Sequence, residues 1–344
     1  MLASMKAARG LASAAGAARA MSTKAATVGV VGASGGIGAP LSLLLKQSPY
    51  VGDLRLSDVV SAPVGSKGVA ADLGHIDTEG LVTGGDGPDA MKEVLAGCDA
   101  VVIPAGVPRK PGMSRDDLFN TNASIVQSIG KTIAEACPNA FVLIISNPVN
   151  STVPIMAETL KAHGVYDKRK VMGVTTLDVV RSNCFVGNEL GRSMKDINVP
   201  VIGGHAGITI LPLLSHIEGA NFTDEQIERL SHRIAFGGDE VVQAKEGAGS
   251  ATLSMAYAAA RFTESLLKAA AGEKGITECA FVESHVAEDK GCKFFSTPCE
   301  LGPNGVEKIG EIPALSDFEK AKFDEMIGDL TKQVNKGIDF VKNQ

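Results

Sequence analysis

One histidine of the chain lies where an acid/base catalyst is expected. His205 is in the run Gly-Gly-His-Ala-Gly at residues 203–207, just after an apolar segment. A histidine flanked by glycines past the end of a strand faces a cleft on a tightly specified backbone, and Asp178 could orient its ring. Such a pair supplies a general acid/base whose imidazolium form the carboxylate stabilises. The five other histidines lack this setting, and we interpret them as structural.

Three arginines could bind an anionic substrate. Arg109 and Arg115 lie six residues apart in a segment rich in proline and glycine. Such a loop could close over a carboxylate, because guanidinium binds carboxylate in a planar two-point geometry. Arg181 follows Asp178 by three residues, so a helix would place both side chains on one face. Taken alone, the loop pair favours a solvated surface loop, and the second pair is equally typical of a surface salt bridge.

A glycine-rich turn near the start of the chain predicts a dinucleotide site. Residues 27–31 have the pattern of a buried strand, residues 32–38 that of a tight turn, and residues 39–46 that of a helix. Glycines there permit positive φ and close approach to a pyrophosphate, which the helix amino end also attracts. The spacing is GxxGxxG rather than the common GxGxxG. The cofactor residues that we assign here are Gly32, Gly35, Gly36, Ile37 and Gly38.

Asp58 gives the turn its cofactor preference. It ends the next apolar segment, residues 53–58, twenty residues after Gly38. A carboxylate at that place can accept hydrogen bonds from both adenosine ribose hydroxyls and would repel a 2′-phosphate. NAD is therefore favoured over NADP.

The elements that must position these residues predict an α/β fold. Further apolar strands at residues 99–104 and 141–146 are separated by a helix, a pattern typical of a parallel sheet covered on both faces. The first half is therefore predicted to be a doubly wound parallel sheet, with a Rossmann NAD-binding domain over residues 23–169. Ligands bind at the carboxyl ends of such strands, where the candidate residues fall.

The second half predicts a mixed α+β substrate domain over residues 170–344. Capping pairs mark two helix starts, because Ser or Thr followed three residues later by Glu or Gln satisfies free N–H groups. The elements predicted there are strands at residues 170–174 and 199–202, and helices that begin at Thr223 and Ser316 or span residues 250–271.

Composition excludes several classes of protein. The chain has 344 residues, enough for two domains, and a net charge of −6, which argues against nucleic acid as a partner. No apolar run approaches the length needed to span a membrane. The six cysteines form no CxxC pair and no Cys/His metal spacing, which predicts free thiols in a reducing compartment and no metal site.

The first 22 residues predict a transit peptide. They carry three basic residues and no acidic one, and the first acidic residue of the chain is Asp53. This composition is typical of an organellar address and lacks the apolar core of a secretory signal. We expect the mitochondrial matrix, with the chloroplast as the alternative.

Six motifs in order carry a resemblance that covers the chain from about residue 24 to its end. With them the chain closely resembles the NAD-dependent malate dehydrogenases of the mitochondrial type, within the lactate/malate dehydrogenase family. The matching stretches are residues 32–38, 107–119, 145–150, 176–181, 203–207 and 249–255.

The resemblance implies roles for individual residues. His205 would accept and donate the proton with Asp178 as its partner, and Arg181 would bind the C1 carboxylate of malate or oxaloacetate. Arg115 and Arg109 would engage the carbonyl oxygen and the distal carboxylate. Asn147 would hydrogen-bond the substrate and lie by the cofactor, with Asn122 near the nicotinamide and Met255 also at the cofactor. The family is usually a homodimer.

Two alternatives remain open at this point. A lactate-type or broader 2-hydroxyacid dehydrogenase would share everything except the contact of Arg109, where lactate enzymes have glutamine. An arginine there supplies charge for a dicarboxylate, whereas pyruvate would leave it unpaired. A catalytically inactive NAD-binding protein would have no need to keep His205, Asp178 and three arginines together.

Overall fold

One continuous sheet of eleven strands organises the protein. The structure, a computed structural model, describes residues 25–107 and 115–343. The strands are β1 (Ala26–Val31), β2 (Val51–Asp58), β3 (Leu81–Asp86), β4 (Ala100–Ile103), β5 (Phe141–Ile144), β6 (Val171–Val174), β7 (Val201–Gly203), β8 (Ile210–Pro212), β9 (Thr277–Glu283), β10 (Phe294–Gly302) and β11 (Gly305–Ile309).

The helices of the described residues cover this sheet. They are α1 (Gly38–Lys46), α2 (Ser66–Leu73), α3 (Pro88–Leu95), α4 (Arg115–Ala136), α5 (Val149–Ala162), α6 (Thr176–Leu190), α7 (Asp224–Ala235), α8 (Gly237–Ala244), α9 (Leu253–Ala270) and α10 (Asp317–Lys342). No helix in the described ranges is long and apolar enough to cross a membrane.

Six parallel strands form the first part of the sheet, in the order β3-β2-β1-β4-β5-β6. Every residue of β4 is fully buried, with Val101 and Ile103 in one apolar cluster and Ala100 and Val102 in another. Successive side chains of a strand point to opposite faces, so both faces of this strand contribute to a core. The doubly wound parallel sheet predicted from the sequence is confirmed.

Antiparallel strands continue the sheet beyond β6. β9 pairs with β6, β10 with β9, and β7 with β10, and the short β7 and β8 pair with each other. The second part is therefore a mixed α+β arrangement, as predicted. β7 ends at Gly203, so the backbone that carries His205 emerges directly from a strand of the shared sheet.

Element bounds follow the predictions closely at the start of the chain and less closely elsewhere. β1 and α1 flank the glycine turn, and the capping pairs at Thr223 and Ser316 are both formed. The predicted helix over residues 250–271 is α9. Residues 99–104, expected to be the third strand, hold the fourth, because β3 precedes them.

Glu319 fixes the start of α10. It is 2% exposed, and its carboxylate accepts hydrogen bonds from the backbone N–H and hydroxyl of Ser215 and from the backbone N–H of Ser316. Burial alone would raise the pKa of Glu319, but these hydrogen bonds outweigh it and leave the pKa below its usual value. The ionised carboxylate therefore ties α10 to the chain that follows β8.

Glu319→Gln is expected to lower the free energy of unfolding by about 1–3 kcal/mol, since charge-assisted hydrogen bonds are lost. Because the folded pKa is lowered, the contribution is present above the unfolded pKa and is lost as the pH falls. Urea denaturation at several pH values measures both effects. Glu325→Gln, on the exposed side of the same helix, is the control; equal losses from both variants would contradict the assignment.

Candidate active site

His205 and Asp178 form a buried pair. The Nδ1 atom of His205 lies 2.5 Å from Oδ2 of Asp178, and the two side chains are 9% and 0% exposed. A buried carboxylate is costly unless it is paired and hydrogen-bonded. The second oxygen of Asp178 lies 3.5 Å from Nη1 of Arg181, so an imidazole and a guanidinium flank one carboxylate.

The local sequence places Asp178 just past the carboxyl end of β6. α6 begins directly after β6, and Asp178 is the acidic residue of its first turn, where the helix dipole favours a negative charge. Its backbone N–H donates to the carbonyl of Thr175, and the hydroxyl of Ser182 donates to the carbonyl of Asp178 at 2.6 Å. The aspartate is therefore held at both its side chain and its backbone.

The pair opens into a cavity of about 570 Å³. The cavity joins the carboxyl edge of the parallel strands to the loops of the second part of the chain. A proton carrier and a guanidinium on one wall can bind a small carboxylate and exchange a proton with it. The predicted site residues that line it are Ile37, Asn147, Asp178, Arg181, His205 and Met255.

The glycine turn has the shape that a dinucleotide requires. Gly32 has a φ of +94°, and a Cβ on Gly38 would lie 2.0 Å from the carbonyl oxygen of Gly32, so a side chain there is impossible without moving the turn. The hydroxyl of Ser34 is buried in this turn and has no hydrogen-bond partner among the described residues. A tight turn with an unsatisfied hydroxyl fits a phosphate-bearing cofactor.

Asp58 lies against this turn. Its Oδ2 accepts a hydrogen bond from the backbone N–H of Ser34 at 2.7 Å, and its Oδ1 accepts one from Val59 at 2.7 Å. These bonds orient the carboxylate at the end of β2. Each oxygen keeps further capacity to accept, as contact with ribose hydroxyls requires.

Asn122 and Asn147 differ in their environments. Asn122 is 2% exposed; its Oδ1 accepts from the backbone N–H of Val107, and its Nδ2 donates to the carbonyl of Asn147 at 2.8 Å. It therefore joins the loop after β4 to the loop after β5. The side chain of Asn147 is exposed and faces the cavity.

Two predicted substrate residues lie in or beside the segment between the two described ranges. Arg109 lies outside the described residues. Arg115 is the first residue of α4, but its side chain is also outside the described part of the structure.

Two buried residues that hold the backbone around His205 were not predicted from the sequence. Asn150 and Thr209 are fully buried and contact the backbone of residues 204–206. Asn150 was visible within the motif at residues 145–150, but its partner is 55 positions away. Nothing local in the sequence signals that contact.

Two family models match nearly the whole described chain. The model for the lactate/malate dehydrogenase NAD binding domain matches residues 26–173, and the model for the alpha/beta C-terminal domain of the same family matches residues 175–341. The first match includes the glycine turn and Asp58. The second includes Asp178, Arg181 and His205.

Named relatives and a solved structure agree with these models. The chain is 54% identical over 319 residues to mitochondrial malate dehydrogenase of Sus scrofa, covering 92% of each chain. It is 54% identical over 328 residues to the human mitochondrial malate dehydrogenase, covering 94% of this chain and 95% of the relative. A structure of malate dehydrogenase from Picrophilus torridus superposes with a TM-score of 0.78 at 28% identity, covering 93% of this chain and 99% of that one. The chain belongs to the lactate/malate dehydrogenase family, whose amino-terminal domain binds NAD.

Proposed function

We propose that this protein is an NAD-dependent malate dehydrogenase that interconverts (S)-malate and oxaloacetate. The observation that carries the proposal is the buried pair of His205 and Asp178, with Arg181 beside it, in one cavity. The relatives named mitochondrial malate dehydrogenase favour malate as the substrate, rather than the lactate of a lactate-type enzyme.

In malate oxidation, neutral His205 takes the proton of the substrate hydroxyl through Nε2, because Asp178 engages Nδ1. Asp178 then stabilises the imidazolium, which is otherwise costly in a buried site. NAD supplies the hydride acceptor in this direction, and its reduced form the donor in the other. Arg181 binds one substrate carboxylate, Arg115 stabilises charge on the reacting oxygen, and Asn147 hydrogen-bonds the substrate.

The cofactor residues follow from the turn and its neighbours. Asp58 would hold the adenosine ribose, and the turn would receive the pyrophosphate at the amino end of α1. Ile37 and Met255, which line the cavity, would lie along the cofactor. Asn122 would fix the nicotinamide side by holding the loops after β4 and β5. Gly32, Gly35, Gly36 and Gly38 complete the proposed set.

Specificity for a dicarboxylate is assigned to Arg109. A second guanidinium over the cavity would pair with the distal carboxylate, which lactate and pyruvate lack. An inactive NAD-binding protein is disfavoured because Asp178 is buried between His205 and Arg181, and burial of ionisable groups without a function is expensive.

Assembly and location are further parts of the proposal. Exposed apolar side chains on the adjacent helices α1 and α9 (Leu43, Leu44, Leu253 and Tyr257) offer a surface for a homodimer. Residues 1–22 would be a transit peptide, with the mitochondrial matrix as destination; the names of the relatives favour it over the chloroplast. We keep residues 23–169 and 170–344 as the two domains.

The proposal predicts opposite pH responses in the two directions. Malate oxidation requires neutral His205, so its kcat/KM should rise as the pH rises. Oxaloacetate reduction requires the protonated form, so its kcat/KM should fall over the same interval. Initial rates from pH 5 to pH 9 in both directions test this, and the same trend in both directions would contradict the assigned role.

A further inference from the structure

The backbone N–H of His205 is bound by the side chain of Asn150, which lies on α5. The Oδ1 atom of Asn150 accepts a hydrogen bond from the backbone N–H of His205 at 2.8 Å, and Asn150 is 0% exposed. Asp178 holds the imidazole ring of the same residue. His205 is therefore fixed at two points, one on its ring and one on its backbone.

We propose that Asn150 is a positioning residue for His205 and that Gln333 of α10 sets the direction in which its amide points. This inference rests on the proposed function, because it assigns the contact a role in proton transfer. Asn150 itself touches no reacting atom in this scheme.

The orientation of the Asn150 amide is fixed by its other partners. Its Nδ2 donates to Oε1 of Gln333 at 2.9 Å and to Oγ1 of Thr209 at 3.2 Å. Thr209 in turn accepts from the backbone N–H of Ala206 and donates to the carbonyl of Ala206. A reversed amide would place an NH₂ group against the N–H of His205, so only one orientation satisfies every donor.

Close packing of α10 on α5 makes this contact possible. A Cβ on Gly337 would lie 2.2 Å from the carbonyl oxygen of Ser151, so glycine is required where the helices approach. One turn earlier, Gln333 reaches Asn150 with its side chain and accepts a hydrogen bond from the hydroxyl of Ser151 at its backbone carbonyl, at 2.7 Å. Gln333 also lines the cavity. The carboxyl-terminal helix is thereby linked to the catalytic loop through one buried amide.

Ser151 provides a matched control for Asn150. Both residues lie on the first turns of α5, both are buried, and both bind Gln333. Only Asn150 bonds the loop of His205. Ser151→Ala therefore removes a similar contact between the two helices while leaving the catalytic loop untouched.

Steady-state kinetics of the purified full chain separate a positioning role from a structural one. Asn150→Ala should lower kcat for oxaloacetate reduction by about 10- to 100-fold, because a small misplacement of a catalytic group slows the chemical step. KM for oxaloacetate and for NADH should change by less than about threefold. Ser151→Ala, which loses one hydrogen bond where Asn150→Ala loses three, should keep wild-type kcat. Equal kcat in the two variants would overturn the inference.

Asn150→Asp tests the hydrogen bond itself. Aspartate keeps an acceptor for the N–H of His205, while the side-chain amide of Gln333 can turn its NH₂ group toward the second oxygen. This variant should regain most of the kcat lost in Asn150→Ala. A folded Asn150→Asp that is as slow as the alanine variant would overturn the role of the acceptor.

Gln333→Leu tests the same inference with Asn150 in place, in case Asn150→Ala does not fold. It should lower kcat by about 3- to 10-fold with KM for oxaloacetate unchanged, since it acts through the amide. A rise in KM alone would mean that Gln333 binds substrate and would overturn the inference. An inactive wild-type protein would instead contradict the proposed function.

Discussion

Replacing His205 with asparagine is expected to lower kcat for malate oxidation by about 10³-fold, within the range that general acid/base catalysis contributes. Asparagine preserves the polarity and much of the shape of the side chain, so it can still hydrogen-bond Asp178. It cannot accept a proton at the reacting oxygen. The loss should therefore appear in kcat in both directions, while the KM values for NAD and NADH stay within about threefold of wild type.

A second histidine provides the control for this variant. His216 is exposed, and its Nε2 lies 2.8 Å from the carbonyl oxygen of Ala314, outside the cavity. His216→Asn should keep wild-type turnover. Near-wild-type turnover of His205→Asn, with the fold intact by circular dichroism, would remove His205 from the mechanism.

Arg109→Gln should lower kcat/KM for oxaloacetate by an amount equivalent to roughly 2–5 kcal/mol of lost charge pairing, and change the value for pyruvate far less. The reason is that only oxaloacetate carries a distal carboxylate for this guanidinium. Parallel measurements of NADH oxidation with the two substrates give the difference directly.

Arg229 is the matched control for the arginine substitution. It is exposed and pairs with Glu189 at 2.7 Å, so Arg229→Gln removes one surface charge without approaching the cavity. It should leave both substrates unaffected. If Arg109→Gln lowered kcat/KM equally for oxaloacetate and pyruvate, Arg109 would have a structural role. The lactate-type alternative would then be open again.

Patterns that depend on nearby residues could be predicted from the sequence. The glycine turn between β1 and α1 lies where the alternation of apolar strand, glycine and apolar helix predicts it, and Asp58 ends β2 as expected. The capping pairs at Thr223 and Ser316 also involve only residues three positions apart. Local chemistry determines such features, so a single sequence reveals them.

Other elements were missed because their local pattern is weak. β3 is Leu-Val-Thr-Gly-Gly-Asp, with two glycines and little buried apolar surface, and it lies at one edge of the sheet. β9 and β10 lie in the carboxyl-terminal third of the chain and pair with each other, and neither was predicted as a strand. Tertiary packing decides these strands more than their own composition does.

In the candidate site, too, residue types could be predicted from the sequence, whereas one of its long-range contacts could not. His205 and Asp178 could be singled out because a histidine between glycines and a carboxylate beside Arg181 are visible as residue types. Their contact across 27 positions was inferred from chemistry, and the structure places the two atoms 2.5 Å apart. The bond between Asn150 and Gln333 spans 183 positions between two unremarkable polar residues, so no sequence pattern could indicate it.

The central claim is that the site transfers hydride between NAD and a four-carbon dicarboxylate. The most direct test follows consumption of NADH by protein that begins at Ser22, first with oxaloacetate and then with pyruvate. We predict rapid oxidation of NADH with oxaloacetate and little with pyruvate. Comparable rates with pyruvate, or no oxidation with either substrate, would contradict it.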